Sequence, residues 1–385
     1  MKKIIILLTI FAIYITLFAG IFEPFGRFEN FGLVNQNKFR FFDIGFYGDL
    51  TLQQSLFSTE HLLNLINEGK VDLNQLQQLV IGETLNGSLF STIRIGKFSI
   101  SPFVNLNSFG GLELPDEILS FIKNDIEINK TYSSSSTSFI SLDSFLNAGV
   151  SFNFNGFFVS PEAFVPITYV FPENQVVNFE YTSSSTPPVM SLKADLSFLM
   201  YSPLLVENLV IDEKLIGIGV SLGYSSKNFG IAVNNITIKP SEVDTLQNIY
   251  ASYSATYNGV EMTFDDEATA NYIQVFETKQ IEQIPEITAY VKANLFVDIG
   301  AAVSYKIDGK WVIGGSISKK LFFIEPSYQL IYDGSNSIFT HIIGLKSDFR
   351  ILYLNTSIII SSNEFIPLDE AKPGIGLVVN FGLGF

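Results

Sequence analysis

The sequence predicts an all-β protein: an antiparallel transmembrane β-barrel of 14–16 strands, with short helices in its loops or plug. Three observations predict it. Apolar residues recur at every second position in segment after segment, the period of a strand with one apolar face. The chain is 47% hydrophobic and only 16% charged, where soluble domains carry about 25% charged residues. It therefore has more apolar surface than one interior needs, and lipid is a second apolar environment. Beyond the N-terminal leader, no stretch is long and apolar enough for a spanning helix of about 20 residues, so a membrane crossing falls to strands.

Met1-Lys2-Lys3 is a short basic start, and Ile4 to Phe18 is almost uninterruptedly apolar. Residues 1–20 thus read as a secretory signal peptide, with Ala19-Gly20 as the small residues before cleavage. Leu17 departs from the small-x-small pattern, and an uncleaved anchor is the alternative. Residues 21–385 read as a single outer-membrane barrel domain. Its first part, 21–38, carries Phe22, Phe25, Phe28 and Phe31 and reads as a plug-like segment against the inner wall. A gate for hydrophobic ligands is the sharper alternative for that stripe.

Alternation then places strands near 39–49, 85–96, 97–108, 144–155, 156–171, 175–185, 189–200, 214–225, 228–238, 286–297, 299–307, 311–319, 320–331, 337–347, 349–360 and 374–385. Ile287, Ala289, Val291, Ala293 and Leu295 alternate with Thr288, Tyr290, Lys292 and Asn294. Tight connections such as Asn155-Gly156 and Asp308-Gly309 suit hairpins, because these residues tolerate positive φ. Both ends of a bacterial barrel lie on one side, so the strand number should be even. That parity keeps the weak 175–185 segment and puts the polar, acidic 239–285 connection outside the cell. Helical patterns are expected in 50–84 and in 114–123, where Pro115 suits a first turn.

Charges on the apolar face would cost about 2–4 kcal/mol for Lys or Arg at the membrane midplane. Lys193, Asp195, Lys292, Lys306 and Asp308 are therefore expected to face the lumen. Aromatic residues near strand ends, among them Phe46, Tyr47, Phe157, Phe158, Tyr169, Phe171, Tyr201, Phe322, Phe323, Tyr328, Tyr332 and Tyr353, are candidates for interfacial girdles.

Composition also excludes functions. The net charge of −15 argues against a nucleic-acid partner, which needs a basic footprint. The acids read as solvated loops, or as a cation-preferring lining if they face the lumen. With no cysteine there is no disulfide, thiolate site or lipid anchor on Cys. Gly219-Val-Ser221-Leu-Gly223 matches G-x-S-x-G, but it sits inside an alternating strand with no helix after it. The two histidines, His61 and His341, have no sequence context that makes a Ser–His pair. Asp265-Asp266-Glu267 lacks the ligand spacing of a calcium loop. No catalytic residue, metal site or cofactor is expected.

At the carboxyl end, Leu377, Val379, Phe381, Leu383 and Phe385 alternate with Val378, Asn380, Gly382 and Gly384. This resembles the last strand of bacterial outer-membrane barrels, which ends in a bare aromatic residue. The resemblance implies that Phe381, Leu383 and Phe385 are read by the barrel-assembly machinery. The layout as a whole, with its leader, Phe-rich start, Leu114-Pro115-Asp116-Glu117-Ile118-Leu119 helix and terminal Phe385, resembles barrels of the long-chain fatty-acid transporter type and related uncharacterised barrels. That implies a protein of the bacterial outer membrane, with lipid around it and a small-molecule solute or lipid as cargo. Two functions follow as expectations: a barrel that passes or binds small molecules, hydrophobic ones included, or a plugged structural or assembly barrel without transport. A secreted soluble β-sandwich is the rival fold.

Overall fold

The computed structural model describes residues 41–54, 58, 79–115, 117, 118, 120, 123, 127–137, 139–203, 212–226, 228–258, 262–264, 269–349, 351–366 and 372–384. The expected leader 1–20, plug segment 21–38, His61, most of both helical patterns, Asp265-Asp266-Glu267 and Phe385 lie outside these residues. Glu117, Ile118 and Ser120 are helical.

Fourteen strands close into a ring. In order around the wall they are β1 (Phe42–Gln54), β2 (Leu79–Ile95), β3 (Phe98–Leu114), β5 (Ile140–Phe154), β6 (Phe157–Ser185), β8 (Gly217–Ser225), β9 (Phe229–Lys239), β13 (Glu286–Asn294), β14 (Asp298–Lys306), β15 (Trp311–Ser318), β16 (Ile324–Asp333), β17 (Ile338–Asp348), β18 (Leu352–Ser362) and β19 (Gly374–Gly384). Neighbours pair antiparallel throughout, and β19 closes on β1 from Gly384 opposite Asp43 to Ile375 opposite Leu52. Closure gives every wall strand two partners, the condition for a sheet to stand in lipid.

Residues directly opposite one another across a ladder point to the same face. Following the register round the ring therefore assigns each wall position. One face carries Ile44, Leu85, Leu89, Val104, Val159, Val303, Ile313, Ile343 and Ile358, all exposed. The other carries Asp49, Asn86, Asn105, Asn147, Ser160, Asn355 and Asn380, all buried. Apolar outside and polar inside is the pattern of a transmembrane barrel and the reverse of a soluble one. No helix of the described residues is long and apolar enough to cross a membrane.

Outward aromatics mark both edges of the apolar band. Phe154, Phe157, Tyr224 and Phe229 cluster near one rim, and Trp311, Tyr332, Phe339 and Phe365 near the other. About ten residues of tilted strand separate such positions, which gives a band of about 25 Å. Of the expected girdle residues, Phe157, Phe322, Phe323, Tyr328 and Tyr332 face outward. Phe158, Tyr169, Phe171 and Tyr201 instead pack inside buried clusters.

The two ends of the barrel differ. The start of β1 and the end of β19 lie at one rim, the terminal rim, where the connections 96–97, 155–156, 226–228, 295–297, 319–323 and 349–351 are short. Asn155 and Gly156 turn there with φ of 53° and 97°, as a two-residue hairpin requires. The long connections all lie at the opposite, loop rim. Here β4 (Thr131–Ser136), β7 (Pro188–Tyr201), β10 (Ser241–Tyr257), β11 (Met262–Phe264) and β12 (Thr269–Ile281) stand outside the ring. β6 leaves the wall at a register break between Val170 and Gln175, and its second half pairs with β4 and β7. β7 in turn pairs with β10, and β10 with β12. The result is a sheet that projects from the loop rim between β3 and β13.

This corrects the segmentation at three points. The 175–185 and 189–200 segments are strands, but they belong to the projecting sheet, so the wall has fourteen strands rather than sixteen. The 239–285 connection, expected as a loop, is on the loop rim and forms β10, β11 and β12. Its Ser, Thr, Asn and Tyr residues make both strand faces polar enough to hide the alternation. The early strands also run further than expected toward the loop rim, β2 starting at Leu79 and β3 ending at Leu114.

Aromatic rings lie over glycines of neighbouring strands on the inner face. A Cβ on Gly217 would fall 2.2 Å from the Phe164 ring, and one on Gly230 2.4 Å from the Tyr290 ring. Tyr290 also donates to the Ser226 carbonyl at 2.8 Å, which ties β13 to the β8–β9 turn. Gly217→Leu is expected to lower unfolding stability in detergent by about 1–3 kcal/mol, the usual cost of overpacking, as read from urea titration of the heat-modifiable band. The outward Ile218→Leu should be neutral in the same titration.

Candidate functional site: the lumen and its loop-side mouth

The lumen has two unlike sides. Along β1, β2, β3, β5 and β6 the inward side chains are buried and bonded to one another. Arg94 pairs with Asp43, and Asn86 donates to both carboxylate oxygens of Asp49 at 3.0 Å. Asn147 donates to Glu162 at 3.4 Å, Ser160 to Ser151 at 2.8 Å, and Thr92 and Ser101 share a hydrogen bond of 2.9 Å. Buried polar groups need such partners, because each one left unmet costs about 1–3 kcal/mol. This side is a solid polar wall.

Along β14, β15 and β16 most inward positions are partly exposed, Gly300 and Gln329 being buried. Small residues run through them: Gly300, Ala302, Gly314, Ser316 and Ser318. Register places them side by side, Gly300 opposite Ser316 and Ala302 opposite Gly314. Lys292 of β13 flanks this strip opposite Gly300, within electrostatic reach of Glu325 and Asp298. Glu325 accepts from Ser318 at 2.7 Å, and Glu286 accepts from Ser304. The free space inside the ring therefore runs beside a low, small-residue strip. Gln329 beside it is buried, and its side-chain oxygen has no hydrogen-bond partner among the described residues.

Apolar residues interrupt this polar lining at two levels. Ile342, Ile359 and Val378 form one inward cluster with Phe90 and Ile331. At the loop rim, Phe145 and Phe164 of the wall join Phe171, Leu199, Tyr201, Leu215, Val243, Leu246 and Ile281. This second cluster fuses the base of the projecting sheet to the mouth. Burial raises the Tyr201 phenol to about 12, so the ring stays neutral in its apolar setting. Gln283, on the link from β12 to β13, donates to Asn147 at 3.1 Å and fastens that link to the inner wall. The Lys310 ammonium lies 5.8 Å from the centre of the Phe109 ring, so the β14–β15 turn leans over the mouth toward β3.

The candidate residues are distributed as follows. Lys292 and Lys306 occupy inward register positions on β13 and β14, Lys306 opposite Glu286. Asp308 is in the β14–β15 turn at the loop rim and pairs with Lys310 at 3.1 Å. Lys193 and Asp195 are on the exposed face of the projecting sheet, where Asp195 accepts from Ser252 at 2.6 Å. Strict alternation looks the same in a wall strand and in a sheet with one packed face, so strand parity alone misplaced these two. Phe381 and Leu383 point outward, opposite Phe46 and Ile44.

Ser221 is inward and buried, and its hydroxyl accepts from the Asn235 amide at 3.1 Å. His341 is on the outward face of β17, bonded to Tyr328 at 2.8 Å and to the Phe365 carbonyl at 2.8 Å. The wall separates the two, so Ser221 and His341 do not pair. The inward asparagines, the small-residue strip and the apolar mouth escaped the sequence reading. Each arises from register between distant strands, although period-2 parity within β14 and β15 pointed at the strip.

Comparison with known proteins gives no matching family model and no matching curated protein. Among solved structures, the toluene transporter TodX of P. putida is similar over 89% of both chains, at 11% identity and a TM-score of 0.38. The monoaromatic hydrocarbon channel CymD is similar over 90% of this chain and 89% of its own, at 9% identity and a TM-score of 0.43. A variant of the Rh. blastica porin is similar over 89% of this chain and 99% of its own, at 11% identity and a TM-score of 0.27. Such loose superpositions transfer no residue roles.

If solutes run along the strip, filling it must block them. Ser316→Trp is expected to cut flux through reconstituted protein by half or more. The outward neighbour Ile317→Trp should leave flux unchanged, and the comparison is made in the same liposome assay.

Proposed function

We propose that the chain is a bacterial outer-membrane barrel that passes or binds small, largely apolar molecules. They would enter at the loop-side mouth and move along the strip of Gly300, Ala302, Gly314 and Ser316. The observation that carries this reading is a partly open inner strip, Ala302, Gly314 and Ser316, inside a wall whose loop rim is packed with buried Phe, Leu and Tyr. Small side chains leave room for a solute, and an apolar rim favours molecules that lose little on leaving water. The partly exposed lysines and acids further in suit a hydrated path. Bacterial barrels keep short turns and both ends in the periplasm, so the loop rim and its projecting sheet would face outside. Residues 1–20 would direct export, and no reacting group or cofactor is needed.

The second reading, a plugged structural barrel, has its own support in the buried side chains of β1 to β6: Asn105, Asn147 and Ser160 are at most 2% exposed. Cell uptake separates the two. Cells carrying the protein in their outer membrane should take up a labelled alkylbenzene several-fold faster than cells without it. Ser316→Trp should remove the gain. Equal uptake by both cells, with no current in planar bilayers, would leave the plugged barrel.

The outward Phe381 and Leu383 fit a role in recognition by the barrel-assembly machinery, with Phe385 completing the pattern. Deletion of Phe385 is expected to lower the heat-modifiable form in outer-membrane fractions several-fold, without changing total synthesis, as read by gel mobility.

A further inference from the structure

The turns of the terminal rim differ around the ring. Those at 96–97 and 155–156 are Gly-Lys and Asn-Gly, with the apolar Ile95, Phe154 and Phe157 on the flanking strands. The turns at 295–297, 319–323 and 349–351 instead present Leu295, Phe296, Phe322, Phe323, Phe349 and Ile351, all strongly exposed. Phe322 is 95% exposed and holds φ at 58°. That is a left-handed conformation which hairpin tips normally give to Asn or Gly, and a bulky side chain there is a strained choice. A residue kept in such a conformation with its ring in the open points to a use for the ring.

The three turns are joined into one platform. The Lys319 ammonium lies 3.3 Å from the centre of the Phe296 ring and donates to the Phe296 carbonyl. Phe323 stacks on Phe349 with centroids 5.2 Å apart. The wall is also low here. β13, β14 and β15 have nine, nine and eight residues, whereas β2 and β3 have 17 each. Tilted strands of eight or nine residues rise only about 20–23 Å, short of an apolar band of about 25 Å. The apolar turns make up the difference, and they carry Lys319 and Lys320 in a chain whose net charge is −15.

We propose that this platform is a docking surface for anionic phospholipid: Phe296, Phe322, Phe323 and Phe349 sink into the interface, and Lys319 and Lys320 hold the headgroup phosphates. Charge complementarity and the short wall select this occupant over a second copy of the chain or a soluble partner. The strain at Phe322 is then offset by burial of its ring among acyl chains.

The test uses the full chain folded into vesicles, with Trp311→Phe removing the single tryptophan and Phe322→Trp placing an indole at the tip. Heat-modifiable mobility confirms folding of every variant. Trace brominated phosphatidylglycerol in phosphatidylcholine vesicles is compared with trace brominated phosphatidylcholine in the same vesicles. The proposal expects the phosphatidylglycerol to quench at least about fivefold more effectively, the enrichment of a lysine near an anionic lipid. It also expects Lys319→Gln with Lys320→Gln to bring the two lipids close to equality. Equal quenching by the two lipids in the unaltered lysine background would overturn the anionic preference. An indole quenched by aqueous iodide but not by brominated lipid would overturn insertion, and one shielded from both would overturn the lipid occupant in favour of a second copy of the chain covering the platform.

Discussion

Lipid offers the backbone no hydrogen-bond partner, and the rest of the structure follows from that constraint. A sheet can stand in a membrane only if its first strand finds its last. Here that closure is the ten-residue register between β1 and β19. It forces the period-2 alternation to become an inside and an outside. It also explains why the most apolar strand segments, such as Ile375 to Leu383, lie beside glycines and asparagines: the large side chains face lipid and the small ones leave room within.

Asymmetry around the ring is the second organising feature. On the β1 to β6 side the wall is tall, its inner face is knitted by Asp–Arg, Asp–Asn and Asn–Glu contacts, and a sheet rises from its rim. From β13 to β16 the strands are shorter and the inner face is low, and the terminal-rim turns from 295 to 351 are apolar. Stiffness and projection belong to one side, partly open inner positions to the other. Such a division lets one half hold the ring's shape while the other keeps its inner face low. Glycines under Phe164 and Tyr290 serve the same division, because a ring laid over a glycine binds two strands without filling the lumen.

The sequence carried the wall well and its surroundings poorly. Alternation located every wall strand, because lipid on one side makes each inward–outward step a large change in hydrophobicity, as at Ile287 to Leu295. Asn155-Gly156 was legible as a turn for the same local reason. The projecting sheet was not legible as such. β6 crosses from wall to projection as one continuous strand, its buried positions switching phase between Val170 and Gln175, and β10 with β12 is too polar to show clear alternation. Parity placed Lys292 and Lys306 at inward register positions but put Lys193 and Asp195 on the wrong sheet. The apolar mouth, built from residues as far apart as Phe145 and Ile281, depends on register that no local pattern encodes.

The two faces of the wall are the central claim, and a chain without cysteine allows them to be read residue by residue. Single substitutions Ser316→Cys and Ile317→Cys, in protein folded into liposomes, would be exposed to a charged, membrane-impermeant thiol reagent. The account predicts fast labelling at 316 from the water-filled lumen and almost none at 317, which faces lipid. Fast labelling at 317 with protection at 316 would reverse the faces and contradict the transmembrane barrel.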